Sequence, residues 1–583
     1  MMAAKVHYHQ IFQCARIEKQ QSLLELAMEN SSRNTDLWAP DIVSYVTKLA
    51  DRATDTALAI QILDPDDEEY GGYRPLDSLV CQFPGGVGTI LTEAYLDTNS
   101  RYHRSDAVAN SIRLALEASE ERFQYEDGSI DSGSDKQNAA NAAFATGGIH
   151  QIWERWQLIE HPLSGEIVDR CRRILIKFGL SCCTMGVFTP NHRWVACAAM
   201  AIVNEVEPNA RLIAKINDYL SDGIDQDADG FYSEYSPMYA MLCNMCLLQV
   251  AKRLDRPELL IPVRKNLELI LSLCHSGGQV ASEFSVRADT GNLGVLHALV
   301  EMGILDRKGE YLTIARDHLD RQLRTLDDRL AEAEADGSNS FGTLLGETSE
   351  LMALAALPAT EVESKPIPDN YRLRTSAFIN RQRTTVRIRR GRLSMTAVGR
   401  NDFTNLMAVR YGDAVVDGMR ILYNYYGMHG VTDENLPEEG DEIVFAGNFT
   451  EYIDGPTPER RIDHKPELHY RLGISEIDGG LALSFRAHAR HKVSLQLEFA
   501  ARPEGYLEIG GQTIPLLDGE RHYLNGPTRI VSGTDALEFG GDLTVQHREL
   551  ADGNFTKQPR ITSLIVAPRT PYEGIITIRG YEI

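Results

Sequence analysis

The sequence predicts an α+β chain of two dissimilar halves: an N-terminal (α/α) toroid, meaning an incomplete barrel of helical hairpins, and a C-terminal antiparallel β-sandwich. Three observations predict it. Up to about residue 357, apolar residues recur with the helical period in segment after segment of similar length. From about residue 371 the period becomes two. Between them lies PATEVESKPIPDN, residues 358–370, whose Pro and Glu content reads as a linker. At 583 residues the chain is too long for one simple core. The expected domains are therefore a catalytic toroid at 1–357, the linker at 358–370 and the sandwich at 371–583.

The helical segments expected in order are 39–62, 104–123, 136–157, 163–180, 190–205, 208–221, 237–254, 257–274, 289–303, 309–334 and 346–356. Their joints carry the residues that break helices, as at Asp127-Gly128, Asp222-Gly223, Asp229-Gly230 and Gly277-Gly278. No repeat of fixed length is visible, which disfavours a regular solenoid. In the second half, alternation marks strands at Thr384–Arg389, Leu393–Val398, Leu406–Val415, Leu481–Ala487, Val493–Phe499, Tyr506–Ile509 and Ile575–Ile578.

A formal charge of −24 argues against non-specific nucleic-acid binding and against an anionic membrane surface. It leaves room for a polyanionic substrate held at a local basic site. One basic run stands out: Arg372, Arg374, Arg381, Arg383, Arg387, Arg389, Arg390, Arg392 and Arg400. It reads as a solvated strand face, or in part as the border of a site. No apolar run suits a bilayer, and the N-terminal stretch lacks the apolar core of a secretory signal, so a cytoplasmic location is expected. The nine cysteines all precede residue 275 and read as reduced core thiols.

The chemistry concentrates between Thr189 and Tyr239, where one construction occurs twice. Thr189-Pro190-Asn191-His192-Arg193-Trp194 reads as a helix start, with Thr as cap and Pro in the first position. Ser236-Pro237-Met238-Tyr239 repeats hydroxyl, Pro, spacer and titratable side chain. Two helix amino termini facing one cavity would bring their positive dipole ends to an anionic substrate. Asn191 and Arg193 suit a carboxylate, His192 and Tyr239 suit proton transfer, and Trp194 offers a flat face to a sugar or packs in the core. Nearby Glu234 and Tyr235 complete this group.

Asp225, Asp227, Asp229 and Gly230 imitate the start of a calcium-binding loop, but the twelfth position is Ser236 rather than Glu, and a plain turn is the better reading. Asn138 and Asn141 share a helical face and, with Trp153 and Trp156, could line a saccharide cleft. Arg287 could clamp an anion or pair with Glu283.

A helical toroid ahead of a β-sandwich, with Asn-His-Arg-Trp and a later Glu-x-Ser-Pro-x-Tyr, resembles the heparinase II/III-like polysaccharide lyases, including oligoalginate lyases. The resemblance implies that Asn191 neutralises a uronate carboxylate, that His192 assists as base and that Tyr239 is the catalytic phenol, with Tyr235 in reserve. Many members carry His-x-His-x-Asp on an early strand. The comparable stretch here is Arg400-Asn401-Asp402-Phe403-Thr404-Asn405, which has no histidine. That departure puts the sandwich-borne histidine and a zinc site in doubt, with His429 as a possible substitute.

The implied reaction is β-elimination on a uronate-containing polysaccharide or oligosaccharide, with no metal or other cofactor. One alternative is a glycoside hydrolase, which needs two carboxylates across the scissile bond, from Asp131, Glu234 or Asp229. The other is a non-catalytic carbohydrate-binding homologue.

Overall fold

The computed structural model describes residues 42–74, 86–133, 135–186, 188–276, 278–285, 287, 289, 291–335, 340–355, 360–377, 383–399, 405–424, 428–430, 438–450, 467–549 and 561–583. Two compact units emerge. The first comprises Met1–Asp225, Met238–Leu267 and Leu293–Pro366; the second comprises Gln226–Pro237, Glu268–Asn292 and Ile367–Ile583. Two short excursions from the helical half thus belong to the sandwich unit. Periodicity could not show this, because it reports a residue's local face and not its distant partners.

Twelve α-helices occur among the described residues, and every helical segment expected from periodicity overlaps one. Several packing steps run in chain order. Ala139–Trp156 packs on Ser164–Cys182 and on Pro190–Val206, and Pro190–Val206 packs on Ala210–Ser221. The first described helix, Ile42–Ile60, lies against the last, Ser340–Ala355, so the series returns on itself as a toroid does. Gly179 allows two helices to approach closely. A Cβ there would sit 2.8 Å from the Val203 side chain, between the helices Ser164–Cys182 and Pro190–Val206.

Three departures from the expected helices have a local cause. The helix expected from 136 starts at Ala139, because Asp135–Asn138 pairs instead with Ile130–Ser132 as a two-stranded hairpin. The helix expected at 289–303 becomes His297–Asp306, because Gly291 and Gly294 take positive φ before it. The helix Val87–Leu96 had no periodic signal. Eight of its ten residues are buried, so it has no polar face to mark a period.

Among its described residues the second unit contains two nine-stranded sheets. One follows the order Arg521–Tyr523, Thr562–Val566, Ser494–Ala501, Ala414–Asn424, Met407–Tyr411, Leu393–Val398, Arg383–Arg390, Asn370–Ala377, with Met428–Gly430 beside Ala414–Asn424. Its pairs are antiparallel except the parallel edge Arg521–Tyr523. The other runs from Gln512–Pro515 through the long central strand Tyr572–Glu582 to Glu438–Glu439. Val386, Ile388, Leu497 and Phe499 of the first sheet and Phe445, Phe485, Phe539 and Ile576 of the second fill one continuous core. The expected single strand Leu406–Val415 divides at a turn into Met407–Tyr411 and Ala414–Asn424.

The basic run is not a uniformly solvated face. Arg387 is fully buried and Arg389 is 5% exposed. Strand alternation explains it: Val386 and Ile388 enter the core, so Arg387 and Arg389 take the opposite face, which is also covered. Arg381 and Arg400 lie outside the described residues.

Candidate functional site

The helix Pro190–Val206 begins at the expected proline, with Thr189 extended at φ −127° and ψ 148°. The expected cap bond does not form. Thr189 Oγ1 accepts no backbone N–H; it accepts the Asn191 side-chain amide at 3.2 Å. Asn191 is 1% exposed, so the helix start holds a buried amide fixed by its own threonine. His192 is half-buried, with its ring edge-on to Phe144 at 5.6 Å across the neighbouring helix.

Arg193 and Trp194 serve the helix rather than an open face. Trp194 is fully buried and donates its indole N–H to Asp225 Oδ1 at 2.8 Å. Arg193 donates to the same oxygen at 3.1 Å, and its guanidinium lies 4.1 Å from the indole ring centroid. Trp194 therefore has no ring face to offer a sugar. The core reading holds, because a large aromatic with a satisfied N–H is most stable buried.

The second construction divides at its proline. Tyr239 lies half-buried in the first turn of Pro237–Arg253, within the helical unit. The residues before it belong to the sandwich unit and are committed locally. Asp227 Oδ1 accepts the backbone N–H groups of Asp229, Gly230 and Phe231 at 2.8–3.0 Å, the mark of a carboxylate-closed turn. Its Oδ2 accepts the Tyr235 hydroxyl at 3.1 Å. Tyr235 is 8% exposed, takes φ +47° and stacks on Phe231 at 5.3 Å. It is a buried strut, which removes it as the reserve phenol. Ser236 donates its hydroxyl to Asp289 at 3.1 Å.

Glu234 and Arg287, both expected to bind substrate, are bound to each other. Arg287 Nε and Nη2 donate to Glu234 Oε2 at 3.0 and 2.9 Å, and Glu234 is only 6% exposed. The partner of Arg287 is thus Glu234 and not the nearer-in-sequence Glu283. A buried carboxylate needs a cation, and the fold supplies this one.

The third candidate group is structural. Asn138 is the cap of Ala139–Trp156: its Oδ1 accepts the Ala140 N–H at 2.8 Å, and its amide donates to Asp135 at 3.0 Å. Asn141 donates to the Ile130 and Asp135 carbonyls at 3.4 Å, fastening the hairpin to the helix. Trp153 is half-buried beside His150 at 5.6 Å, and Trp156 is buried on Thr92. The saccharide-cleft reading of this face does not hold for the two asparagines, whose polar atoms close local structure. The sequence did hold the signal, since Asn at a helix start is first of all a cap.

Two sandwich expectations concern a histidine. Arg400–Thr404 lie outside the described residues, while Asn405 is buried and bonds the backbone of Asp417 and Met419. His429 lies on a short strand opposite Tyr423. Among the described residues no cluster of three His, Cys, Asp or Glu side chains is placed to hold a metal ion, and no helix is long and apolar enough to cross a membrane. A cavity within the helical unit, absent from the sequence reading, is lined by Thr47, Glu93, Asp97, Gln151, Glu154 and Arg155 among others. Its three carboxylates, Glu93, Asp97 and Glu154, outnumber the single guanidinium of Arg155, which does not suit an anion.

No family model matches the sequence, and no curated protein matches it. Solved structures do match. Heparinase III is similar with a TM-score of 0.55 at 10% identity, over 97% of this chain and 89% of that one. A Paenibacillus xanthan lyase is similar with a TM-score of 0.54 at 10% identity over 98% of this chain, which spans 58% of the xanthan lyase's length. At such identities the likeness is one of fold. The helices returning on themselves and the two-sheet sandwich that follows them give this chain the fold of a heparinase-like polysaccharide lyase.

Proposed function

We propose that the chain cleaves a uronate-containing polysaccharide or oligosaccharide by β-elimination. The observation that carries the reading is the likeness of fold to heparinase III along nearly the whole chain. It is joined by two proline-started helices of one unit that carry Asn191 and His192 on one and Tyr239 on the other. The C5 proton of a uronate becomes acidic enough to remove when its carboxylate is neutralised, because the charge developing on C5 then spreads into the carboxyl group. Asn191 supplies that neutralisation by exchanging the Thr189 hydroxyl for the carboxylate, a stronger acceptor. His192 or Tyr239 takes the C5 proton, the C4–O4 bond breaks, and Tyr239 protonates the leaving oxygen. One product carries a 4,5-unsaturated uronate, and no metal enters the scheme.

A hydrolase finds less support. Asp131 accepts the Gln137 N–H at 2.7 Å and pairs with Lys136 at 3.2 Å, while Glu234 is held by Arg287. Neither is a free acid or base.

The test is a panel of uronate polysaccharides and oligosaccharides read by ultraviolet absorbance and product mass. A rise in absorbance is expected, and Tyr239→Phe should lower it by at least about a hundredfold, the usual worth of a proton-transfer group. Tyr235→Phe should keep activity and lose roughly 1 kcal/mol of stability with its bond to Asp227. A saturated product of hydrolytic mass, or full activity in Tyr239→Phe, would remove the mechanism.

A further inference from the structure

The sandwich unit buries a cluster that the proposed reaction does not use. On the covered face of the first sheet, Arg387 is 0%, Arg410 3% and Arg389 5% exposed, and His275 beside them is 3% exposed. The segment Glu268–Asn292, part of this unit, meets that face. The Cys274 carbonyl accepts from Arg387 Nη2 at 3.1 Å and from Arg389 Nη1 at 3.2 Å. Arg410 and Arg502 both donate to Gln279 Oε1.

Charge does not balance there. Asp417 pairs with Arg410 at 3.2 Å and Arg502 at 2.5 Å, and Glu283 lies 3.9 Å from Arg410. Among the described residues, four guanidinium groups thus meet two buried carboxylates. Even with the exposed Glu504 assigned to Arg502, one buried positive charge is left over. His275 adds none. Burial, then Arg410, Arg387, Arg502 and Arg389, hold its pKa well below the usual value, so the ring is neutral.

The hydrogen bonds show the same shortfall. His275 Nδ1 faces Arg387 Nη2 at 2.9 Å and the Ser394 hydroxyl at 2.7 Å. Arginine can only donate, so Nδ1 accepts and the ring proton sits on Nε2. Among the described residues His275 Nε2, Arg387 Nε and Arg410 Nε are all buried with no hydrogen-bond acceptor, against one such buried acceptor atom in the cluster, Glu283 Oε2. All three are N–H donors. A buried water would give them an acceptor but leave the charge; an anion answers both.

We propose that this cluster is a binding site for a small inorganic anion of the chloride or sulfate class, held by the buried N–H groups of His275, Arg387 and Arg410. The bound ion ties the Glu268–Asn292 segment to the sheet and so stabilises the sandwich unit.

The test is the melting temperature of the full chain at constant ionic strength, with chloride or sulfate replacing bulky methanesulfonate. A saturable rise of several degrees is expected in wild type, together with loss of that dependence in Arg410→Met. A melting temperature indifferent to the anion, or equally dependent in Arg410→Met, overturns the site. Should Arg410→Met not fold, wild-type crystals soaked in bromide decide. An anomalous peak in contact with His275 Nε2 or Arg410 Nε supports the proposal, and its absence with other bromide sites occupied overturns it.

Discussion

At the scale of single residues, the chain shows how one motif divides between chemistry and architecture. Asn-His-Arg-Trp looks like four site residues in a row, but helical geometry sends its members in different directions. Asn191 and His192 stay at the helix start, while Arg193 and Trp194 are drawn to Asp225. Asp225 is the residue that sequence reading placed in a possible calcium loop, and its work is to anchor the indole and guanidinium. Asp225→Ala should leave the buried indole N–H without that acceptor and cost on the order of 1–3 kcal/mol in chemical denaturation. An unchanged midpoint would show that Asp225 anchors nothing. Which residues cluster at the two helix starts was legible in the sequence; which of them another side chain had already claimed was not. Arg287 had an acidic residue four positions away and chose one more than fifty positions away.

Helix starts marked by proline were easier to foresee than single contacts. Pro190 and Pro237 open their helices as expected, because a fixed φ and a missing N–H suit only the first turn. The buried helix Val87–Leu96 escaped because a helix covered on all sides carries no stripe. Packing between elements sets two predictions. Gly179→Ala places a methyl against Val203 and should separate the helix that carries Asn191 from its neighbour, costing about 1–3 kcal/mol. If Asn191 acts on substrate, activity should fall with it; a melting temperature equal to wild type would show that the helices absorb the methyl. On the helix His297–Asp306, burial pushes the Glu301 carboxyl up, but His297 at 3.1 Å and Lys252 at 2.6 Å outweigh it and bring its pKa down to about 2. A depressed carboxylate pKa stabilises the fold above the unfolded value and is lost as pH falls toward the folded one. Stability should therefore drop between about pH 5 and pH 2, and Glu301→Gln should flatten that limb by on the order of 1–3 kcal/mol. The same acid slope in both proteins would remove Glu301 as its cause.

For the whole molecule, the net charge of −24 sets the terms on which a polyanion approaches. On the proposed function, like charges slow encounter at low salt, and screening relieves this as the Debye length shrinks from ~30 Å to ~8 Å. Turnover per unit of substrate, kcat/KM, should rise with ionic strength over that range. A steep fall would mean instead that a local basic surface steers the substrate. The sequence by itself determined the two architectures and their order, because the change of hydrophobic period from 3.6 to 2 is written in neighbouring residues. It also determined where the two proline-marked helices begin, because a proline acts within one turn. Only the tertiary structure decided that Gln226–Pro237 and Glu268–Asn292 join the sandwich, that Arg387 and Arg410 are buried together, and that Glu234 and Arg287 neutralise each other. Those outcomes depend on charges meeting across tens to hundreds of residues, and burial makes such meetings compulsory without recording them in any local pattern.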